Sequence, residues 1–194
     1  MGNALVANDI YNQEFFDMHL EWRADYHQLA LALNHLLDFD HVADLGCGNG
    51  YMVDTLRRLG KSYLAVDYAE AASGYSDLYI YNCDLRNQLD FFRRFDLVTC
   101  LEVAEHIEEH YAYALIGNIV RHALKWIVFS AADPGSGGVN HVNEQPRIYW
   151  ETKFREYGIK MDRNRTFQLK WELRHNCINT SWFARNIMVL RCPQ

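Results

Sequence analysis

Apolar residues recur along this chain in two rhythms. Between residues 9 and 37 apolar and aromatic positions include Ile10, Phe15, Phe16, Leu20, Trp22, Tyr26, Leu29, Leu33, Leu36 and Leu37, and spacings of three and four dominate the second half, which predicts a helix. Beyond it come short apolar runs that end in polar or turn residues: 41–45, 63–67, 78–81, 95–101, 126–130 and 187–190. Each has strand length and is rich in Val, Ile, Leu and aromatic residues. Helical patterns lie between them at 50–59, 108–124 and 146–157. Gly60 and Gly158 serve as stops, Pro146 suits a first turn, and Asn143 is a candidate cap. Residues 131–143, rich in Gly, Asn, Asp and Pro, read as a loop.

Strands alternating with helices predict a largely parallel sheet joined by right-handed crossovers. In such sheets the carboxyl ends of the strands carry the ligand groups. No repeat or linker interrupts the pattern, so residues 1–194 read as one domain, with an N-terminal helical region over 1–38 and a core over 39–194.

Composition narrows this picture. Apolar residues make up 49% of the 194 and charged residues 23%, an ordinary globular balance. No apolar run approaches the ~18 residues of a membrane span. The opening MGNALVAND lacks a basic start followed by an apolar run, so no secretory leader is expected. Val6 stands where myristoylation at Gly2 favours Ser or Thr. The five cysteines are scattered with no CxxC pair, which argues against a zinc cluster or a disulfide framework and for a reducing, cytoplasmic setting. A net charge of −6 argues against a long polyanion as substrate.

The densest chemical signal is His41-Val42-Ala43-Asp44-Leu45-Gly46-Cys47-Gly48-Asn49-Gly50. A strand ends in an acid and opens into glycines at every second position, a loop that lets a ligand approach the backbone closely. The next strand ends in Asp67, able to accept two hydrogen bonds from a ribose diol, or to serve as a cap. Asp84 follows the third strand and can face an adenine amine, or simply solvent. The glycine spacing departs from the dinucleotide GxGxxG, and Asp44 is unsuited to a pyrophosphate neighbour. It suits a ligand bearing an amine and a sulfonium. No GxxxxGK[ST] occurs.

With these residues, the chain resembles the class I S-adenosylmethionine-dependent methyltransferases. The matching segments are ADLGCGNG, YLAVD, YNCDL, FDLVTCLEVAEHI, KWIVFSAADP and NHVNEQPRIYWETKFREYGI, spread over roughly residues 40–190 in the family's order. The resemblance implies an α/β, Rossmann-like fold: a seven-stranded, mostly parallel sheet of order 3-2-1-4-5-7-6, with helices on both faces and the last strand antiparallel. It implies S-adenosyl-L-methionine as cofactor. Asp44, Gly46, Cys47, Gly48 and Gly50 would hold its methionine part and Asp67 the ribose. Tyr68 would pack on adenine, Asp84 and the Leu85 amide would read its edge, and Leu101 and Glu102 would line the methionine side.

On the acceptor side, His106 and His141 are the candidate catalytic groups, and His141 and Asp133 are candidate substrate contacts. Tyr11 and Phe15, in the aromatic-rich segment before the first strand, are candidates to close over the substrate. Arg23 is within reach of the cofactor carboxylate or lies on the surface. No metal is expected: His106 and His110 are four apart beside Glu102, Glu105 and Glu109, but HExxH is absent and solvated helix faces share this pattern. Neither an Asn/Asp-Pro-Pro-Tyr signature nor a Pro-Cys pair occurs, which argues against nucleic-acid base methylation. A small-molecule acceptor methylated at oxygen is the leading reading. An RNA- or cap-directed enzyme and a non-catalytic cofactor-binding protein are the alternatives. The basic and aromatic residues of the tail, Arg163, Arg165, Lys170, Arg174, Arg185, Trp171, Trp182 and Phe183, fit a helix and terminal strand better than a nucleic-acid surface.

Overall fold

Strand β1 (His41–Leu45) is buried at every residue after the first. It runs parallel between β2 (Ser62–Asp67) and β4 (Phe95–Leu101). Burial on both faces is what a helix-covered parallel strand requires, and it explains why these strands read as continuous apolar runs. The computed structural model describes residues 10–193, so the readings placed on MGNALVAND lie outside the described residues.

β3 (Ile80–Asn82) pairs with β2, and β5 (Ala123–Ser130) pairs with β4, all parallel. β7 (Met188–Arg191) returns antiparallel between β5 and β6 (Lys160–Met161). The order β3-β2-β1-β4-β5-β7-β6 is the one expected. Alternate strand residues enter two cores. Ala43, Val98, Ile127 and Phe129 face α4 (Ala112–His122) and α5 (Arg147–Glu156). Val42, Leu97, Val128 and Val189 face α2 (Arg23–Leu36), α3 (Tyr51–Arg58) and α6 (Arg163–Asn176). The period of two along each strand is thus the reason helices cover both faces.

Three expected elements differ. The helix expected over 9–37 is broken into α1 (Gln13–Met18), a 3₁₀ turn at Leu20–Trp22, and α2. Asn12 starts α1 by accepting from the Phe15 amide at 3.1 Å, and His19, which ends it, stacks on Trp22 with ring centres 3.9 Å apart. Apolar spacing does not register such side-chain breaks. The helix expected over 108–124 is α4, preceded by a 3₁₀ turn at Glu109–Tyr111 and passing directly into β5. Pro146, not Asn143, holds the N-terminal cap position of α5. Asn143 is buried upstream, where its amide donates to the Glu105 carbonyl at 3.0 Å.

One buried acid ties the ends of the chain together. Asp25 in α2 is 2% exposed and accepts from the amides of Ile178, Asn179 and Thr180 at 3.0, 2.6 and 2.8 Å. The Thr180 hydroxyl adds a fourth bond at 3.1 Å. These bonds fix the 178–180 turn that leads into α7 (Ser181–Asn186). Asp25→Ala strands three amides and should cost on the order of 3 kcal/mol in urea unfolding. An unchanged midpoint would contradict that role.

Candidate active site

The carboxyl ends of β1, β2 and β4 converge on one side of the sheet, and the loops that leave them surround a cavity of about 760 Å³. That volume suits a nucleoside-sized ligand together with a small second molecule. Gly46 (φ +85°) makes the first turn. A Cβ there would fall 2.3 Å from Val103 Cγ2, so glycine lets the loop after β4 cross against the loop after β1. The Gly46 and Cys47 amides both donate to the Val66 carbonyl, at 2.8 and 2.9 Å.

Asp67 ends β2 and braces this loop. Its carboxylate accepts from the Gly48 amide at 2.8 Å and the Ala69 amide at 2.9 Å. Burial raises its carboxyl above the usual range, and the backbone amides oppose that. Each oxygen keeps a further lone pair for a ligand hydroxyl. Asp44 lies deeper, 4% exposed, with the Thr99 hydroxyl donating to it at 2.6 Å. Burial pushes its carboxyl up to about 7; Thr99 works against the rise and Asp67 adds to it.

Most of the expected cofactor residues line the cavity, including Cys47, Gly48, Tyr68, Leu85 and Leu101. Gly50 does not. It heads α3 at φ +72°, where a Cβ would meet Leu78 Cδ1 at 2.8 Å, so its place is a packed turn. Asp84 lines the cavity, but Arg86 holds both its oxygens, with nitrogen–oxygen distances of 2.8–3.1 Å. Burial works to raise the Asp84 carboxyl, and Arg86 outweighs it and holds it low. Arg86 was not foreseen from the sequence.

On the opposite side, Glu102 follows β4 with φ +54°, a conformation rare for a side chain with a Cβ. Ala104–His106 then form a 3₁₀ turn. Glu105 is 1% exposed, and one carboxylate oxygen accepts from the Ala132 amide at 3.2 Å. Its backbone carbonyl accepts from the Val142 and Asn143 amides at 2.8 and 3.0 Å. Those two bonds fold the 131–143 loop back and set His141 beside His106, ring centres 4.8 Å apart.

Each imidazole is oriented through Nδ1. His141 Nδ1 lies 2.8 Å from Glu144 Oε1, and Glu144 is itself held by the Gly135 and Gly137 amides. His106 Nδ1 lies 3.0 Å from the Tyr11 hydroxyl and 3.3 Å from the Asn140 carbonyl. Burial, with His141 adding to it, pushes His106 down to about 4. Burial raises the carboxyls of Glu102 and Glu105, and for Glu105 the adjacent Glu102 adds to the rise.

Tyr11 and Phe15 line the cavity, together with Phe16, His19 and Trp22. Asp133 does not: it is exposed at the start of the loop, its carbonyl bound to the Ser136 amide. Arg23 also stays outside, its guanidinium over the Tyr51 ring at 5.4 Å. His110 sits on a separate 3₁₀ turn against Tyr111, so it shares no helix face with His106. Arg185 of α7 reaches the cavity although the sequence placed it among tail cations. Of the other tail residues, Phe183 is buried and Arg165 lies over Trp126, whereas Arg163, Trp171 and Arg174 are exposed.

A GxGxG turn two residues beyond a buried acid, a second acid ending β2, and this strand order define a class I S-adenosylmethionine-dependent methyltransferase domain. Residues 17–175 match the model of the methyltransferase domain family, and the chain belongs to that family. The mitochondrial ubiquinone biosynthesis O-methyltransferase of Schizosaccharomyces pombe is 36% identical over 81 residues, 35% of this chain and 29% of that protein. The ubiquinone biosynthesis O-methyltransferase of Acinetobacter baumannii is 25% identical over 114 residues, 50% of this chain and 48% of that one. The chain therefore spans less than half the length of these two relatives. Among solved structures, the sugar N-methyltransferase KedS8 from Streptoalloteichus has a TM-score of 0.69 over 93% of this chain and 92% of its own, at 12% identity. Magnesium protoporphyrin IX methyltransferase from Synechocystis, with bound cofactor, has a TM-score of 0.56 over 94% and 79%, at 17% identity. These two structures share the fold.

Proposed function

We propose that this protein transfers a methyl group from S-adenosylmethionine to an oxygen of a small-molecule acceptor. The observation that carries the reading is one continuous cavity, with Asp44 and Asp67 at one side and the His106–His141 pair at the other. The residues present fit the cofactor: Gly48, at φ +51°, presents backbone without a side chain to the cavity, and the Asp67 carboxylate has lone pairs left for a diol. Bound S-adenosylmethionine supplies a methyl group already activated on a sulfonium. The protein's part is to orient the acceptor, exclude bulk water and promote loss of the acceptor's proton.

Asp67 takes the ribose hydroxyls and Asp44 faces the ammonium of the methionine part. Tyr68 and Leu85 flank the base, and the Asp84–Arg86 pair sits at its edge. His141, braced by Glu144, and His106, braced by Tyr11, stand where the acceptor hydroxyl loses its proton. The segment 10–22 acts as the lid, because Tyr11 reaches across to His106 and to Asn140. The O-methyltransferase names of the curated relatives favour oxygen as acceptor atom. The net charge of −6 weighs against an RNA substrate. All five cysteines are free, which supports a reducing, cytoplasmic location, and no helix among the described residues is long and apolar enough to cross a membrane.

The test is transfer of labelled methyl from the cofactor to panels of hydroxylated metabolites, their amine analogues and RNA. Label on oxygen of a small molecule is expected. Label only on amines or RNA would overturn the reading.

Asp44 adds a pH signature. Its carboxyl, raised to about 7, must ionise to meet the ligand's ammonium, so binding releases a proton below that pH. Affinity for S-adenosylhomocysteine should therefore be steady above about pH 7. It should fall toward about tenfold per unit below it. Asp44→Asn should flatten the profile in calorimetry. A wild-type affinity independent of pH between about 5.5 and 7.5 would contradict the assignment.

A further inference from the structure

We infer that Glu105, His106 and His141 hold a divalent transition-metal ion, with Glu102 beside it, and that the ion binds two adjacent oxygens of the acceptor. The inference deepens the methyl-transfer reading and rests on it for its use; the ion site itself rests on geometry.

One donor atom from each of Glu105, His106 and His141 lies within 4.8 Å of the others. Ligands at ~2.0–2.2 Å from a metal sit about 3–4 Å from one another, so small side-chain rotations close the set. Part of the cluster's hydrogen-bonding capacity is open. Glu105 is 1% exposed and its Oε2 has no hydrogen-bond partner among the described residues. Glu102 Oε1 beside it is also buried without a partner, although the Glu102 carboxyl meets Ser130, Asn186 and Glu105. Two adjacent carboxylates with open, desolvated oxygens are costly unless a cation or a shared proton joins them.

The outer contacts agree. Metal-binding histidines hold their second ring nitrogen against a carboxylate or carbonyl, which fixes the tautomer. His141 Nδ1 meets Glu144, and His106 Nδ1 meets the Asn140 carbonyl and the Tyr11 hydroxyl. Nε2 of each ring is left as the donor. The Glu102 backbone, at φ +54°, is held in a conformation that an unremarkable surface turn would not need.

The donor set selects the ion. Two imidazoles with carboxylate suit Zn²⁺, Mn²⁺, Fe²⁺ or Co²⁺ rather than Ca²⁺, which takes oxygen ligands. Three or four protein ligands leave cis positions open inside the cavity. A vicinal diol or catechol fills two of them. The ion acidifies the hydroxyl to be methylated. Its O–H bond breaks and the proton passes to water. The oxygen lone pair forms the new O–CH₃ bond as the CH₃–S bond breaks, its electrons returning to sulfur.

The experiment strips the purified protein with a chelator and titrates Mn²⁺, following the free-ion signal by electron paramagnetic resonance, with Zn²⁺ as competitor. One Mn²⁺ per chain, displaced by Zn²⁺, is expected. Glu105→Gln and His141→Gln should each weaken it by more than about tenfold, and Glu144→Gln by about tenfold. S-adenosylhomocysteine binding, measured on the same samples, confirms that the variants are folded. No binding by the wild type, or variants that bind Mn²⁺ as the wild type does, would overturn the site. Methylation of a diol lost with the chelator and restored by Mn²⁺ supports the acceptor class. Methylation indifferent to the chelator overturns the ion's role and leaves the methyl-transfer reading standing. Ion binding with no methylation of any acceptor overturns that reading and leaves the site.

Discussion

Asp67→Ala should weaken S-adenosylmethionine binding about a hundredfold or more. The wild-type carboxylate does two jobs at once. It holds the Gly48 and Ala69 amides at 2.8 and 2.9 Å, which fixes the glycine loop against β2. Its remaining lone pairs are the acceptors for a ribose diol. Hydrogen bonds to a charged group contribute about 1.5–3 kcal/mol each, so two of them exceed the ~2.7 kcal/mol that separates affinities a hundredfold apart. Alanine also leaves two amides without their partner, which loosens the loop. Asparagine is no neutral substitute: its NH₂ would face one of the two amide donors. Calorimetry with S-adenosylhomocysteine reads the effect, and a melting curve separates loss of the site from loss of the fold. An affinity within about threefold of wild type would remove Asp67 from the cofactor site.

His141→Ala should lower the methylation rate by about 10²–10⁴ while cofactor affinity stays put. The imidazole stands beside His106 and over Glu105, on the acceptor side of the cavity. Its loop is held by backbone bonds to Glu105, which the substitution leaves intact. Glu144→Gln should give a smaller loss of the same kind, since it frees the ring without removing it. Combined with Glu105→Gln, His141→Ala should cost far less than the sum, because groups that act as one unit are not additive. Equal falls in rate and in S-adenosylhomocysteine affinity would place His141 in the cofactor site instead.

Legibility in the sequence followed the range of the interactions. The strand that becomes β4 was read over the residues it occupies, because burial on both faces leaves an uninterrupted apolar run. Gly46 and Gly48 were legible because a positive φ is a local demand met at little cost only by glycine. Gly50 met the same demand yet packs against Leu78 from beyond β2, a contact no spacing announces. Asp84 was visible as an acid after a strand, and its capture by Arg86 was not. Asp133 and His141 looked alike as polar loop residues. Only the path of the loop, pinned by the Glu105 carbonyl, put one outside the cavity and the other beside His106.

The sequence by itself therefore determined six of the seven strands, all but the two-residue β6, with their ligand-bearing ends and the class of cofactor, since periodicity, positive φ and strand-end acids are local properties of the chain. Tertiary structure alone decided which groups meet on the acceptor side. Glu105 and His106 share one 3₁₀ turn and His141 comes from another loop, and their convergence depends on backbone bonds between segments distant in sequence. The same holds for the N-terminal segment, whose Tyr11 finds His106 only once the sheet has placed both.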